Sequence, residues 1–320
     1  MSRPETTTTT NIVVHRSGAR TGALMMLGSA FANQSGAALG AHAFSAMGPI
    51  GVVAVRQIIG ALVLFPSVRP PLHRFTWSQW WPTIGISVAF ATMNLTLYTA
   101  IDRVGLALAV TLEFLGPLSV ALLGSRSLRD LAYALVAASG VYILVMPGPN
   151  SDYFGIVCAL VAATCWAGYI LLSRLIGTRL PGLQAPAAAT ALSATAFVPV
   201  VIVLIAQDKF FGAFLWYAVA AGVLCTLVPM VSDLLTLRRV PAQLFGVFMS
   251  IHPVCAALAG IVILGQSLDA HEWVGILVIV TINAVAVTQP LSVRSDQLLD
   301  RVQPEEVHTR SRTAPSRQRT

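Results

Sequence analysis

The chain has 320 residues, of which 56% are hydrophobic and only 10% charged, with a mean hydropathy of +0.75 and a formal charge of +7. An ordinary soluble domain carries about 25% charged residues, so the composition excludes that class and defines a polytopic membrane protein. The positive charge needs no nucleic acid to explain it, because the basic residues lie where membrane topology puts them.

Residues 1–20, with a threonine run from Thr6 to Thr10, lack apolar periodicity and read as a disordered cytoplasmic tail. Ten apolar runs follow, near 21–41, 46–66, 79–101, 104–124, 128–146, 152–176, 184–205, 213–234, 241–264 and 270–289. Each is long enough to cross a hydrocarbon core of about 30 Å. None alternates as a barrel strand would, so all ten read as helices. Residues 290–320, rich in Arg, Ser, Gln and Pro, read as a second disordered tail, basic enough to graze anionic lipid.

With both termini in the cytoplasm, the inner side collects 17 of the 20 Lys and Arg residues. Arg103 and Lys209 fall outside, and Arg56 falls within a span. Ten spans satisfy the positive-inside rule; nine or eleven would destroy the asymmetry. Arginines, an apolar run and Ala41-His42-Ala43 imitate a secretory signal, but the run is long for one and its removal would break the charge pattern.

The chain also reads as duplicated. "DRVGLALAVTLEFLGPLSVAL" (102–122) and "RRVPAQLFGVFMSIHPVCAAL" (238–258) align without a gap at an offset of 136, matching Arg-Val at 103 and 239 and proline at 117 and 253. The expected fold is therefore an all-α membrane protein of ten transmembrane helices, arranged as two inverted five-helix repeats. These occupy 21–146 and 152–289, with "PGPNS" at 147–151 as the joint. An odd number of helices per half turns the second copy upside down.

A charge at the centre of a span costs about 2.5–3.5 kcal/mol on insertion scales, so each one calls for a partner or a function. Arg56, Glu113 and His252 fall near the midpoints of the second, fourth and ninth runs, and Asp233 toward the cytoplasmic end of the eighth. Pro117 has no N–H for the carbonyl of Glu113, and Pro253 none for that of Met249, so both helices open at mid-membrane. Such openings are tolerated where they face protein or a water-filled cavity, which is the sequence pointer to a transporter binding site. Glu113, Arg56, His252 and Asp233 are the candidate substrate or proton sites. Gln34, Asn94, Tyr98, Trp166 and Tyr169 are candidates to line the same cavity. The alternatives stay open: Arg56 and Glu113 as a buried structural ion pair, His252 as a hydrogen-bonded interior residue, and the amides and hydroxyls as ties between helices.

Gly36 and Gly40 form a GxxxG that reads as close helix packing. Cys158, Cys165, Cys225 and Cys255 lie inside spans without CxxC or metal spacing and read as small packing residues. No His or acid cluster at metal spacing and no nucleotide-binding loop is present in the sequence, so no cofactor, metal site, enzymatic role or autonomous ATP-driven pump is expected.

Four stretches, "ALAVTLEFLGPLSVALL" (107–123), "MNLTLYTAI" (93–101), "CWAGYILLS" (165–173) and "LRRVPAQLFGVFMSIHPVCAALAGIVILGQSL" (237–268), resemble the ten-helix drug/metabolite transporter superfamily. Within it the resemblance is to the EamA-type branch and the bacterial threonine and homoserine exporters, over about Gly22 to Gln289. It implies two inverted five-helix halves around a central cavity and efflux of small metabolites. It also places the family's arginine of helix 2 on Arg56 and its acids of helices 4 and 8 on Glu113 and Asp233. Relatives tend to read Met-Glu-Pro and Leu-Gly-Glu where this chain has Ile251-His252-Pro253 and Leu264-Gly265-Gln266, which makes its cavity and rim less negative.

The resulting expectation is a secondary exporter of amino acids in the bacterial inner membrane, driven by proton antiport and alternating access. Its partners are a small-molecule substrate, a proton and the lipid bilayer, with a homodimer left open. Efflux of drugs or other metabolites on the same scaffold is the alternative within transport, and a non-transporting membrane sensor the alternative outside it.

Overall fold

In a computed structural model, the described residues are 16–123, 128–146, 148, 149, 151–180, 182–210, 212–229, 231, 232 and 248–288. They form eleven α-helices and no strand. These are α1 (Arg16–Ala41), α2 (Phe44–Val68), α3 (Trp77–Val104), α4 (Leu106–Glu113), α5 (Leu115–Leu123), α6 (Leu128–Val145), α7 (Tyr153–Gly177), α8 (Gln184–Ala206), α9 (Ala213–Gly222), α10 (His252–Leu264) and α11 (Ala270–Thr288). A π turn, Val223–Leu227, continues α9.

The eleven helices make up the ten expected passes, because α4 and α5 are one pass interrupted at Phe114. Five helices are each long and apolar enough to cross a membrane: α2, α3, α7, α8 and α11. The segments Leu106–Leu122, Leu131–Val145, Ala213–Leu227 and His252–Leu264 are shorter apolar helices. Leu62, Val88, Ile202 and Val262 stand exposed on helix surfaces, as side chains that face lipid do.

Local chemistry sets the helix ends. Thr76 and Gln79 close a capping box at the start of α3, with Gln79 Oε1 accepting from Thr76 N at 3.0 Å. Asp152 caps α7, accepting from Gly155 N at 2.9 Å, and its other carboxylate oxygen takes a 2.7 Å bond from Arg103 Nη1. Gly105, at φ +84°, makes the sharp joint between α3 and α4 that a side chain would disfavour.

Small residues then let backbones meet. A Cβ on Gly36 would lie 2.7 Å from Cys225 Sγ, and one on Gly40 would lie 2.9 Å from Ala221 Cβ. The GxxxG of α1 is thus the surface on which α9 and its π turn rest, the close packing expected of that motif.

Helix pairing follows a pattern. α3 runs along α7, and α1 along α9; α1 packs on α10, and α7 on α4 and α5. α3 also meets α8 as α2 meets α9, while α2–α8, α4–α10 and α6–α11 pair directly. Exchanging each pass with the one five further on interchanges α3–α7 with α1–α9, α1–α10 with α7 on α4 and α5, and α3–α8 with α2–α9, and carries α2–α8, α4–α10 and α6–α11 each into itself. Across the α2–α8 contact, Gln57 Nε2 donates to Ser193 Oγ at 2.9 Å, two residues 136 positions apart.

Candidate functional site

The break in the fourth pass begins with Pro117, which cannot donate to the carbonyl of Glu113. The helix loses regularity at Phe114, one residue after the acid. A comparable break occupies Ser250 and Ile251, just before Pro253, where α10 starts at His252. Gly116 holds α5 hard against α7: a Cβ there would run into the carbonyl oxygen of Ala163.

Phe114, at the break, is held between two aromatic partners. Trp166 of α7 meets it edge-on with ring centroids 4.8 Å apart, and His252 stacks on it at 5.6 Å. His252 reaches on to α1, where Gln34 Nε2 lies 3.2 Å from its Nδ1. With the amide donating, Nδ1 accepts and the neutral ring carries its proton on Nε2.

Beside this aromatic wedge lies a cavity of about 110 Å³. Its walls include Asn33 and Gln34 of α1, Arg56 of α2, Asn94 and Tyr98 of α3, Glu113 of α4, Trp166 of α7 and Cys225 of the π turn. Arg56 and Glu113 therefore share one cavity. Among the described residues the only ion pair within 4.0 Å is Arg103–Asp152, so Arg56 and Glu113 are not directly paired. This disfavours the structural ion pair that the sequence left open.

Arg56 is positioned otherwise. Its guanidinium sits 5.4 Å from the centroid of the Tyr98 ring, a cation–π contact, and Nη2 donates over a long 3.5 Å to the carbonyl of Cys225. Pro229, four residues on, has no N–H to give that carbonyl, so it makes no i→i+4 helical bond. The thiol of Cys225 donates to the carbonyl of Asn33 at 3.0 Å, and the Tyr98 hydroxyl lies 3.8 Å from the sulfur. Glu113 is 6% exposed and reaches the cavity from the end of α4.

The structure brings together Glu113, Arg56, Gln34, Asn94, Tyr98 and Trp166 on the cavity, with His252 one hydrogen bond behind it. Tyr169 falls elsewhere, packing beside Phe90 at 6.1 Å and against the cluster around Ile86, Ile176 and Ala189. Asp233 lies outside the described residues, as does 241–247 of the ninth run. Gln266 lies at a separate place, where its Oε1 accepts from Leu106 N at 3.2 Å and so caps α4 from the far end of α10. Asn33 was not singled out from the sequence, and Cys225 read there only as a packing residue. The signal that could have found Cys225 is Pro229, which, like Pro117 and Pro253, denies a helical N–H to the carbonyl four residues before it. The described residues contain no group of three or more His, Cys, Asp or Glu arranged to hold a metal ion.

Comparison with known proteins agrees with this architecture. The sequence model of the EamA-like transporter family matches residues 153–288, which span α7 to α11. The threonine/homoserine exporter RhtA of Salmonella typhimurium (strain SL1344) is 33% identical over 272 residues, 84% of this chain and 91% of that protein. RhtA of Escherichia coli (strain K12) is 32% identical over 266 residues, 82% and 89% of the two chains. The uncharacterized transporter YwfM of Bacillus subtilis (strain 168) is 26% identical over 244 residues, 71% of this chain and 80% of that one. A solved crystal structure shares the fold with a TM-score of 0.57 at 18% identity, covering 89% of this chain and 99% of its own.

The protein thus belongs to the EamA-type drug/metabolite transporter family, a class of ten-helix membrane transporters and not of enzymes. Its partners are accordingly a small-molecule substrate and the lipid bilayer.

Proposed function

We propose that the protein exports small zwitterionic amino acids, threonine and homoserine among them, from the bacterial cytoplasm across the inner membrane. The observation that carries this reading is the pair of opposite charges on one small cavity, Glu113 and Arg56, neither committed to the other. An α-amino acid satisfies both at once: its ammonium meets Glu113 and its carboxylate meets Arg56, in surroundings where such contacts count for more than in water. The RhtA relatives, named as exporters of threonine and homoserine, support the same substrate class. The cavity volume of about 110 Å³ favours a small metabolite over a drug, since pockets for drug-sized ligands measure about 300–1,000 Å³.

The coupling follows from the same carboxylate. A proton on Glu113 removes the charge that holds the ammonium, so proton and substrate compete for one group and cross in opposite directions. His252 offers a second proton site, because protonating Nδ1 breaks its bond from Gln34, a residue of the cavity wall. Movement is by alternating access of two inverted halves, a reading supported by the helix pairings that the five-pass exchange preserves.

The test is efflux of threonine and homoserine from preloaded cells at two external pH values, beside empty vector and Glu113→Gln. Export that rises with the inward proton gradient and is lost in Glu113→Gln, with the variant still in the membrane, is the expected result. Full export by Glu113→Gln removes the acid from the mechanism; binding without flux in the wild type identifies a sensor instead.

A further inference from the structure

Asn94 lies on α3 at the depth of the cavity, 1% exposed, and it lines the same wall as Tyr98. Its amide is fixed in direction. Nδ2 donates to the carbonyl of Phe90 at 2.7 Å, and turning the group over would set oxygen against oxygen. The amide oxygen, Oδ1, is buried and has no hydrogen-bond partner among the described residues. A buried acceptor left unpaired is costly, and native interiors contain few.

Three polar groups of the wall are engaged elsewhere. Arg56 is directed to the Cys225 carbonyl and the Tyr98 ring, Gln34 to His252, and the Cys225 thiol to the Asn33 carbonyl. Oδ1 is thus an acceptor with no donor among the described residues, on a residue that lines the cavity.

We infer that Asn94 is a specificity-determining residue whose amide oxygen accepts a hydrogen bond from the transported substrate. The inference rests on the amino-acid reading above and deepens it: the cavity selects for a donor beyond what Glu113 and Arg56 recognise as charge. A site with a buried acceptor admits ligands that donate to it and rejects isosteres that leave it unpaired. Two groups of an amino acid supply such a donor, the ammonium and a side-chain hydroxyl. Threonine and valine, which share a shape and differ by that hydroxyl, separate them.

The experiment is transport of threonine and of valine by wild-type protein and Asn94→Leu in reconstituted vesicles, with thermal unfolding in detergent measured beside it. Asn94→Leu keeps the side-chain size and removes the acceptor, while the Phe90 carbonyl still lies within the α3 backbone ladder. The expected result is a KM for threonine raised about tenfold or more, a smaller change in kcat, an unfolding temperature close to wild type without substrate, and loss of the threonine-induced upshift. If the valine KM stays constant, the hydroxyl is the donor; if it rises in step, the ammonium is. Asn94→Ala reads the same KM ratio should the leucine variant fail to reach the membrane. An unchanged threonine KM in the variant that folds overturns the assignment. A wild-type protein that moves neither these nor any other amino acid overturns the amino-acid reading, and this inference with it.

Discussion

Gln57 and Ser193 touch across the α2–α8 contact, the amide donating to the hydroxyl at 2.9 Å, and they stand 136 residues apart. The same offset relates Pro117 to Pro253, and the break at Phe114 to the break at Ser250. Two equivalent positions of a repeat meet each other where a pseudo-two-fold axis passes between its copies. Gln57 and Ser193 have the relationship expected of such a pair.

Inversion of the halves predicts that equivalent connectors face opposite sides of the membrane. His73 lies between α2 and α3, Lys209 lies between α8 and α9, and both are exposed. In a background without native cysteines, an impermeant maleimide added to intact cells should label Lys209→Cys at once. It should label His73→Cys only after permeabilisation. Labelling of both from the same side would rule out the inverted arrangement.

Gly116 predicts a packing failure. Its missing side chain lets the α5 backbone approach the carbonyl of Ala163, and a backbone atom cannot swing away as a side chain can. Overpacking of this kind costs about 1–3 kcal/mol, and Gly116→Ala should fall at the upper end. The check is the unfolding temperature in detergent. Gly168→Ala, where a Cβ meets nothing within 4 Å, should leave it near wild type.

Asp152 predicts a pH dependence. The Gly155 backbone N–H, and next the Arg103 guanidinium, hold its carboxyl below the usual carboxylate range. A depressed folded value stabilises the protein above the unfolded pKa of about 3.9 and loses that contribution as pH falls through the folded value. Asp152→Asn should therefore lower the unfolding temperature by a constant amount from about pH 5 to pH 8, and the difference should close in stronger acid. A difference that instead vanished between pH 6 and 8 would contradict the assignment.

The ten passes were legible because lipid demands long apolar runs, and the mid-membrane acid, arginine and histidine because they are expensive there. Pro117 and Pro253 announced the two breaks, since a missing N–H is a local fact of sequence. What the sequence could not separate was direction around a helix. Trp166 and Tyr169 are three residues apart and so lie on neighbouring faces of α7, yet only Trp166 reaches the cavity, while Tyr169 turns to the cluster around Ile86. Cys225 was hidden for another reason. A cysteine in an apolar run reads as packing, and the π turn that aims its carbonyl at Arg56 has no periodicity of its own to betray it. Nor does any sequence pattern tell that Arg56 and Glu113 share a cavity without pairing.

The central claim is that Glu113 receives the substrate ammonium and Arg56 its carboxylate. The most direct test is binding to purified protein of threonine, threonine amide, which lacks the carboxylate, and N-acetylthreonine, which lacks the ammonium. Wild type, Arg56→Gln and Glu113→Gln would be compared. The account predicts that wild type prefers threonine to both analogues. It further predicts that Arg56→Gln loses the preference over the amide alone, and Glu113→Gln the preference over the N-acetyl compound alone. Equal loss against both analogues in either variant, or threonine binding untouched by both substitutions, would contradict it.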